Sequence, residues 1–335
     1  MQIHRAFRTI AFLLAILAAT SVRAADRQVL RHRIAPWTDA FHSVDRLPAT
    51  NRIHAAICLP WRNPAALANL LARISAPSSP DYRHYLTPEA FTEQFGPTPE
   101  DYASVVAFAR KNGLNVTATH PNRMLVDVEG AASDFERVFH LNLRRYSHPL
   151  EKRLFRAPDT APSVEIAVPV LSVCGLDDYA LPHPASLRPA PAAQTASATP
   201  MNGSGPRGNL MGLDFRAAYA PGVTLTGSGQ SVGLLEFDGY YASDIATYAS
   251  QAGLPGVPLQ NVLVDGFGGK PGVNNSEVAM DIEMAISMAP GLDRVLVYEA
   301  GMSAPVIDVL NRMATDNAAK QLSSSWTWGT LDPGT

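Results

Sequence analysis

Glu277 and Asp281 stand four apart in SEVAMDIEMAISMAP, so an α-helix through that segment puts both carboxyls on one face, a turn apart. Like charges at that spacing cost a helix roughly a few tenths of a kcal/mol, a cost that proton sharing removes. The chemistry such a pair can do is general acid-base work. All nine histidines lie at or before His183, and both cysteines at or before Cys174. Chemistry in the last 150 residues or so must therefore run on carboxylates and hydroxyls, which excludes a Ser-His-Asp triad and a His-ligated zinc there. The plainer reading, two solvated acids on an exposed helix face, stands beside this one.

The elements that must position the pair read as alternating strands and helices. Ser231–Phe237 is expected to be a buried strand, Ser243–Ala252 a helix and Asn261–Val264 a strand. The acidic helix follows over Ser276–Met288, then a strand at Arg294–Glu299, a helix at Ala304–Asn317 and a strand at Gln321–Trp326. Such alternation implies a parallel, doubly wound α/β sheet, whose ligands sit at the carboxyl ends of its strands. Gly203, Gly205 and Gly208 fit G-x-G-x-x-G, but they follow a linker, and Gly227 and Gly229 precede a strand instead of leaving it. Neither context makes a phosphate cradle.

The first half has a different grain. A strand is expected at Arg52–Leu59, and helices at Pro64–Ser75, Thr87–Phe95 and Pro99–Asn112, the last stopped by Gly113. Two strands around Asn115–His120 and Met124–Glu129, a helix at Ala132–Phe139 and a strand at Leu141–Tyr146 complete an α+β sandwich with helices on one face of an antiparallel sheet. His84, His120, His140 and His148 show no ligand spacing and are expected to be structural. Between Pro182 and Pro200 the chain reads PHPASLRPAPAAQTASATP, an aperiodic stretch read as an extended linker.

The 335 residues are 46% hydrophobic, enough for two domains with real cores. The first 24 residues have a basic start (Arg5, Arg8), an apolar stretch from Ile10 to Ala19, and Val22 and Ala24 before a cleavage point. They read as a secretory signal, with a secreted or periplasmic product and no membrane association after its removal. Export would leave Cys58 and Cys174 either as one disulfide or as two buried thiols. The net charge of −3 divides unevenly: of 30 acids and 27 bases, 13 acids and 6 bases fall from Met201 onward, leaving 17 and 21 before it. Nucleic acid is excluded as a partner of the acidic half, and a slightly basic first half is expected to part from it when interface carboxylates are protonated.

Four segments together resemble the sedolisin-type serine-carboxyl peptidases, the family of kumamolisin. LDFRAAYAP followed by GSGQSVGLLEF is similar to the opening of the mature enzyme. SEVAMDIEMAISMAP resembles its catalytic E-x-x-x-D helix, and QLSSSWTWG its S-x-S-W-G substrate strand. Upstream, YRHYLTPEAFTEQFGPTPEDYASVVAFARKNGLNV is similar to the pro-kumamolisin activation domain. The resemblance implies a ferredoxin-like antiparallel sandwich as activation domain (25–181), a linker (182–206) and a subtilisin-like α/β domain with a parallel sheet (207–335). It implies a zymogen of a serine-type endopeptidase that hydrolyses peptide bonds in acid. Glu277 would be the general base and Asp281 its orienting partner, with Ser325, Trp326 and Gly329 along the backbone of a peptide or protein substrate. Glu236, in the acid position of subtilisins, is expected to be structural.

The family's nucleophile, in G-T-S-x-x-x-P, its oxyanion aspartate and its calcium site all come after the S-x-S-W-G strand. The sequence reaches Thr335 about ten residues past that strand without these motifs. Ser276 cannot substitute, since on a helix it points about 100° from Glu277. The expectation is a chain truncated before the nucleophile, inactive alone, with no cofactor of its own. The competing expectation is a non-catalytic secreted inhibitor or chaperone of another peptidase.

Overall fold

The computed structural model describes residues 27–30, 42–185 and 203–328. The expected signal peptide therefore lies outside the described residues, as do Gly329 and most of the expected linker.

The first half begins with short strands β1 (Gln28–Val29) and β2 (Ser43–Arg46), then β3 (Arg52–Cys58). Helices α1 (Pro64–Ser75), α2 (Pro88–Phe95) and α3 (Pro99–Lys111) follow. Their starts are written in the sequence. Thr87 Oγ1 accepts from Ala90 N at 3.2 Å and Thr98 Oγ1 from Asp101 N at 3.0 Å, each with proline in the first turn. Gly113 ends α3 with φ +81°, a conformation that costs glycine nothing. Next come β4 (Asn115–Thr119), β5 (Leu125–Ala131), α4 (Ala132–Phe139), β6 (Leu143–Ser147), β7 (Leu154–Pro158), β8 (Ser163–Val164) and β9 (Ser172–Cys174). An antiparallel sheet in the order β4-β5-β3-β9 carries the half, and β2-β6-β7 form a second one. Ile53, Ala55 and Ile57 alternate onto the face covered by Val105, Ala109, Phe135 and Phe139 from α3 and α4.

The second half opens with β10 (Pro182–Pro184) and α5 (Gly212–Tyr219) and continues through β11 (Ser231–Glu236), α6 (Ala242–Gln251) and β12 (Leu259–Leu263). Then come α7 (Asn275–Met288), β13 (Arg294–Glu299), α8 (Val306–Asp316), β14 (Gln321–Ser323) and β15 (Trp326–Trp328). The expected parallel sheet is present, in the order β12-β13-β11-β14. Two expectations need correction. The single strand Gln321–Trp326 is broken in two: β14 joins the parallel sheet, while β15 leaves it to pair antiparallel with β10. The linker does not start free at Pro182, because Pro182, His183 and Pro184 register against Trp328, Thr327 and Trp326. Proline has no N–H to give, so it fits only a strand with one side unpaired, and β10 has β15 as its single neighbour in the sheet.

The face of the first sheet that carries His54, Ala56, Cys58 and Asp127 meets the second half. Asn122 Nδ2 donates to Asn311 Oδ1 at 2.5 Å and to Thr315 Oγ1 at 3.2 Å on α8. Acids gather here from both sides, contrary to the simple picture of a basic half on an acidic one. Asp127 is buried and bonded to His120 Nε2 at 2.8 Å. Asp308, in the first turn of α8, is 4% exposed, and Asp265 reaches it from the loop after β12. Burial, then Asp127 and Asp265, pushes the Asp308 carboxyl up to about 9. A helix N-terminus favours the anion by roughly 0.3–1 kcal/mol, too little to offset that burial.

A folded-state pKa raised above the unfolded value of about 3.9 gives stability that is full below the unfolded value and lost as pH rises toward about 9. Asp308→Asn keeps the protonated shape without the titration. It should therefore stabilise the chain at about pH 8 by about 1–3 kcal/mol, the scale of one unpaired buried polar group, with little effect near pH 4. Thermal melts at the two pH values check this; a variant no more stable than its parent at the higher pH would contradict it.

Candidate active site

α7 places the site. Val278, Ile282 and Ile286, at 0%, 0% and 2% exposure, bury one stripe of the helix in the core, and Glu277 and Asp281 form the stripe one residue round, as their spacing predicted. The start of α7 is tied to the end of β11 by Asp238. Its Oδ1 accepts from Gly239 N at 2.7 Å and Gly272 N at 2.6 Å, and its Oδ2 from Asn274 N at 2.8 Å. Glu299, at the end of β13, is wholly buried beside it, its carboxyl pushed up to about 7 by burial and then by Asp238.

Glu277 is 1% exposed, and its Oε2 has no hydrogen-bond partner. Burial first, and Asp281 second, raises its carboxyl above the ordinary glutamate range. Asp281 Oδ1 accepts from Ser325 Oγ at 2.8 Å. Its carboxyl is also raised by burial, with the bonds from Ser325 and Glu236 pulling the other way. The plainer reading, solvated acids, does not describe these groups.

Glu236 joins the pair. It ends β11, is 0% exposed, and its Oε2 accepts from the indole Nε1 of Trp326 at 2.7 Å. Burial, then the charge of Asp281, raises its carboxyl far above the usual range. Glu236 and Asp281 lie close enough for each carboxyl to act on the other. Two of their buried oxygens, Glu236 Oε1 and Asp281 Oδ2, have no hydrogen-bond partner. Two neighbouring carboxyls cannot both ionise cheaply, which favours sharing one proton, and deeper burial favours Glu236 as its site. The result is a chain from the Trp326 indole through Glu236 to Asp281, with Ser325 closing on the other Asp281 oxygen. Sequence position had pointed to Glu236 only as a structural acid. The missed signal was a glutamate as the last residue of a buried parallel strand, where ligands collect.

Trp326 is held for this contact by the Phe237 ring, 5.7 Å away and at 68° to it, and Phe237 also meets Trp328 at 5.9 Å. Ser325 sits between β14 and β15, its carbonyl accepting from Ala185 N at 2.8 Å. The structure thus brings Glu277, Asp281, Ser325 and Trp326 to one place. Among the described residues no group of three or more His, Cys, Asp or Glu could hold a metal ion, and no helix is long and apolar enough to cross a membrane.

A cluster of buried carboxyls thus lies at the carboxyl end of a parallel sheet, beside a strand, β15, that pairs with the segment leaving the antiparallel half. Residues 39–179 match the pro-kumamolisin activation domain. Xanthomonalisin of Xanthomonas sp. (strain T-22) is 28% identical over 306 residues, covering 84% of this chain and 36% of that protein. Sedolisin of Pseudomonas sp. (strain 101) is 27% identical over 85% of this chain and 50% of its own length. Kumamolisin of Bacillus sp. (strain MN-32) is 27% identical over 86% and 53%. Residues 39–179 thus resemble a pro-kumamolisin activation domain, and the chain is similar to sedolisin-type peptidases over most of its length; it spans about a third to a half of the relatives it matches. Among solved structures, Pseudomonas sedolisin, a serine-carboxyl proteinase complexed with two molecules of pseudo-iodotyrostatin, aligns with a TM-score of 0.31 at 20% identity over 33% of each chain, a likeness too slight to bear on the fold.

Trp326→Phe leaves the buried Glu236 oxygen without its donor and should lower stability by about 1–3 kcal/mol. Glu236→Gln keeps an acceptor for the indole and a donor toward Asp281, so it should stay within about 1 kcal/mol of the parent. Urea unfolding of both variants checks the assignment, and a Gln variant as damaged as the Phe variant would contradict the protonated Glu236.

Proposed function

We propose that this chain is the activation domain and the first part of the catalytic domain of an exported serine-carboxyl endopeptidase, a zymogen that cleaves peptide bonds in acid. One observation carries the reading. β10 lies antiparallel on β15, and Ala185 N donates to Ser325 O at 2.8 Å, so the segment leaving the activation domain runs as a strand over the residues beside Asp281. A peptide substrate adds to an exposed strand edge in the same way. In the precursor that edge is taken.

On this reading a signal peptide ends at Ala24, the activation domain covers 25–181, the connection 182–206, and the catalytic part starts at 207. The order β4-β5-β3-β9 with α3 and α4 on one face supports a ferredoxin-like sandwich for the first domain, and the parallel sheet with α7 supports a subtilisin-like one for the second. Glu277 is the general base. Its raised carboxyl makes it a better proton acceptor than an ordinary glutamate, the property that general-base catalysis needs. Asp281 orients Glu277 and shares its proton, and Glu236, held by Trp326, anchors Asp281. Ser325 and Trp326, with Gly329 by resemblance, border the substrate backbone.

The nucleophilic serine and the oxyanion aspartate belong on this reading to the part of the relatives beyond the matched region. Ser325 is engaged as donor to Asp281, which leaves the free Glu277 oxygen for a hydroxyl supplied from there. In a form of the protein with the length of its relatives, a shift to about pH 4, near carboxylate pKa values, should produce a mature N-terminus between Leu187 and Asn209, read by N-terminal sequencing. Glu277→Gln should stay unprocessed and lose about 10²–10⁴-fold in kcat. Processing of the Gln variant at the parent's rate would overturn the assignment of the base.

A further inference from the structure

The two cysteines of the chain, 116 residues apart, are brought together by the first sheet. Ala56 registers with Cys174 and Cys58 with Ser172 along β3 and β9, so both thiols stand on the same face, one pair of residues apart. Their Sγ atoms are 3.5 Å apart, in van der Waals contact. A disulfide needs about 2.05 Å, so the two sulfurs must close by roughly 1.5 Å. The chemistry of Glu277 and Asp281 uses neither residue.

We infer that Cys58 and Cys174 form an intramolecular disulfide when the chain meets a disulfide oxidant, with Cys174 attacking and Cys58 resolving. The two thiols differ in the way that order requires. Cys174 is half-buried and borders a cleft of about 180 Å³ between the domains, lined also by Gly175, Asp177, Pro305 and Trp328. The bonds from Cys58 and Ser172 lower its thiol to about 7, which makes it the better nucleophile near neutral pH. Cys58 is 6% exposed, and its thiol is raised by the bond to Cys174 and by burial.

The Cys174 thiolate attacks one sulfur of a small-molecule or protein disulfide, forming a mixed disulfide and releasing a thiolate. Cys58 then gives up its proton to solvent and attacks Cys174 Sγ, forming the internal bond and expelling the second thiolate, which takes up a proton. Two protein thiols are oxidised and one donor disulfide is reduced to two thiols. The bond would staple β9, an edge strand of only three residues, to the centre of its sheet. It lies directly before Gly175, where φ is +91° and a Cβ would stand 2.6 Å from His54 O, the point at which the chain leaves the sheet.

The full chain, purified reduced and then exposed to oxidised glutathione, should lose two hydrogens in intact mass and all free thiol. A peptide map should join the Cys58 and Cys174 segments, and the melting temperature should rise by roughly 5–15 °C. Cys58→Ser should trap glutathione on Cys174, whereas Cys174→Ser should stay unmodified while folded. Two thiols that remain free in the folded parent, or oxidation that yields only dimers joined between chains, would overturn the inference; these parent results decide it even if a variant fails to fold.

Discussion

Glu236, Glu277 and Asp281 meet in one buried place, and three carboxyls so placed cannot all be ionised. Most of the second half can be understood as a way of holding that unfavourable set together. The end of β11 supplies Glu236, one face of α7 supplies the other two, and the apolar stripe Val278, Ile282 and Ile286 fixes the rotation of the helix. Asp238, saturated by three backbone N–H groups, locks the loop into α7 against the strand. Trp326 and Ser325 give the cluster neutral donors, the indole to Glu236 and the hydroxyl to Asp281. The arrangement resolves its own repulsion by proton sharing, which is also the property that a carboxyl-based general base requires.

The same economy governs the contact between the halves. α8 lies between two sheets, packing Val309 and Met313 into the parallel-sheet core and turning Asp308, Asn311 and Thr315 toward the antiparallel one. Acid meets acid there, softened by His120 on Asp127. Protonation thus favours this part of the interface, so any acid-driven separation of the halves has to arise elsewhere.

The sequence carried the regular elements well. α7, β11 and β13 stand out through their apolar periodicity, and α2 and α3 through their threonine caps and first-turn prolines. What it hid depends on partners distant along the chain. β10 is three residues with two prolines and becomes a strand only because β15 lies beside it. Gln321–Trp326 reads as one strand by composition, yet it breaks at Ser324 and Ser325 because Trp326 turns its indole to Glu236, some 90 residues away. Glu277 and Asp281 were legible because helix geometry joins them locally. Glu236 was legible as a buried acid but not as their neighbour, and the Asp127–Asp308 meeting was invisible because it joins two domains.

The most direct test concerns the proton that the cluster shares, which burial and the charge of Asp281 direct to Glu236. Carbon-13 NMR of the side-chain carboxyls, compared between parent and Glu236→Gln across pH 4–8, an interval spanning ordinary carboxyl titration, measures it directly. Burial of Glu236 predicts a glutamate carboxyl, missing from the variant, that keeps the shift of the protonated form at pH 7, beyond the partial protonation expected of Glu299 there. A parent spectrum whose protonated glutamate signals at pH 7 are all retained in the Glu236→Gln variant would contradict it.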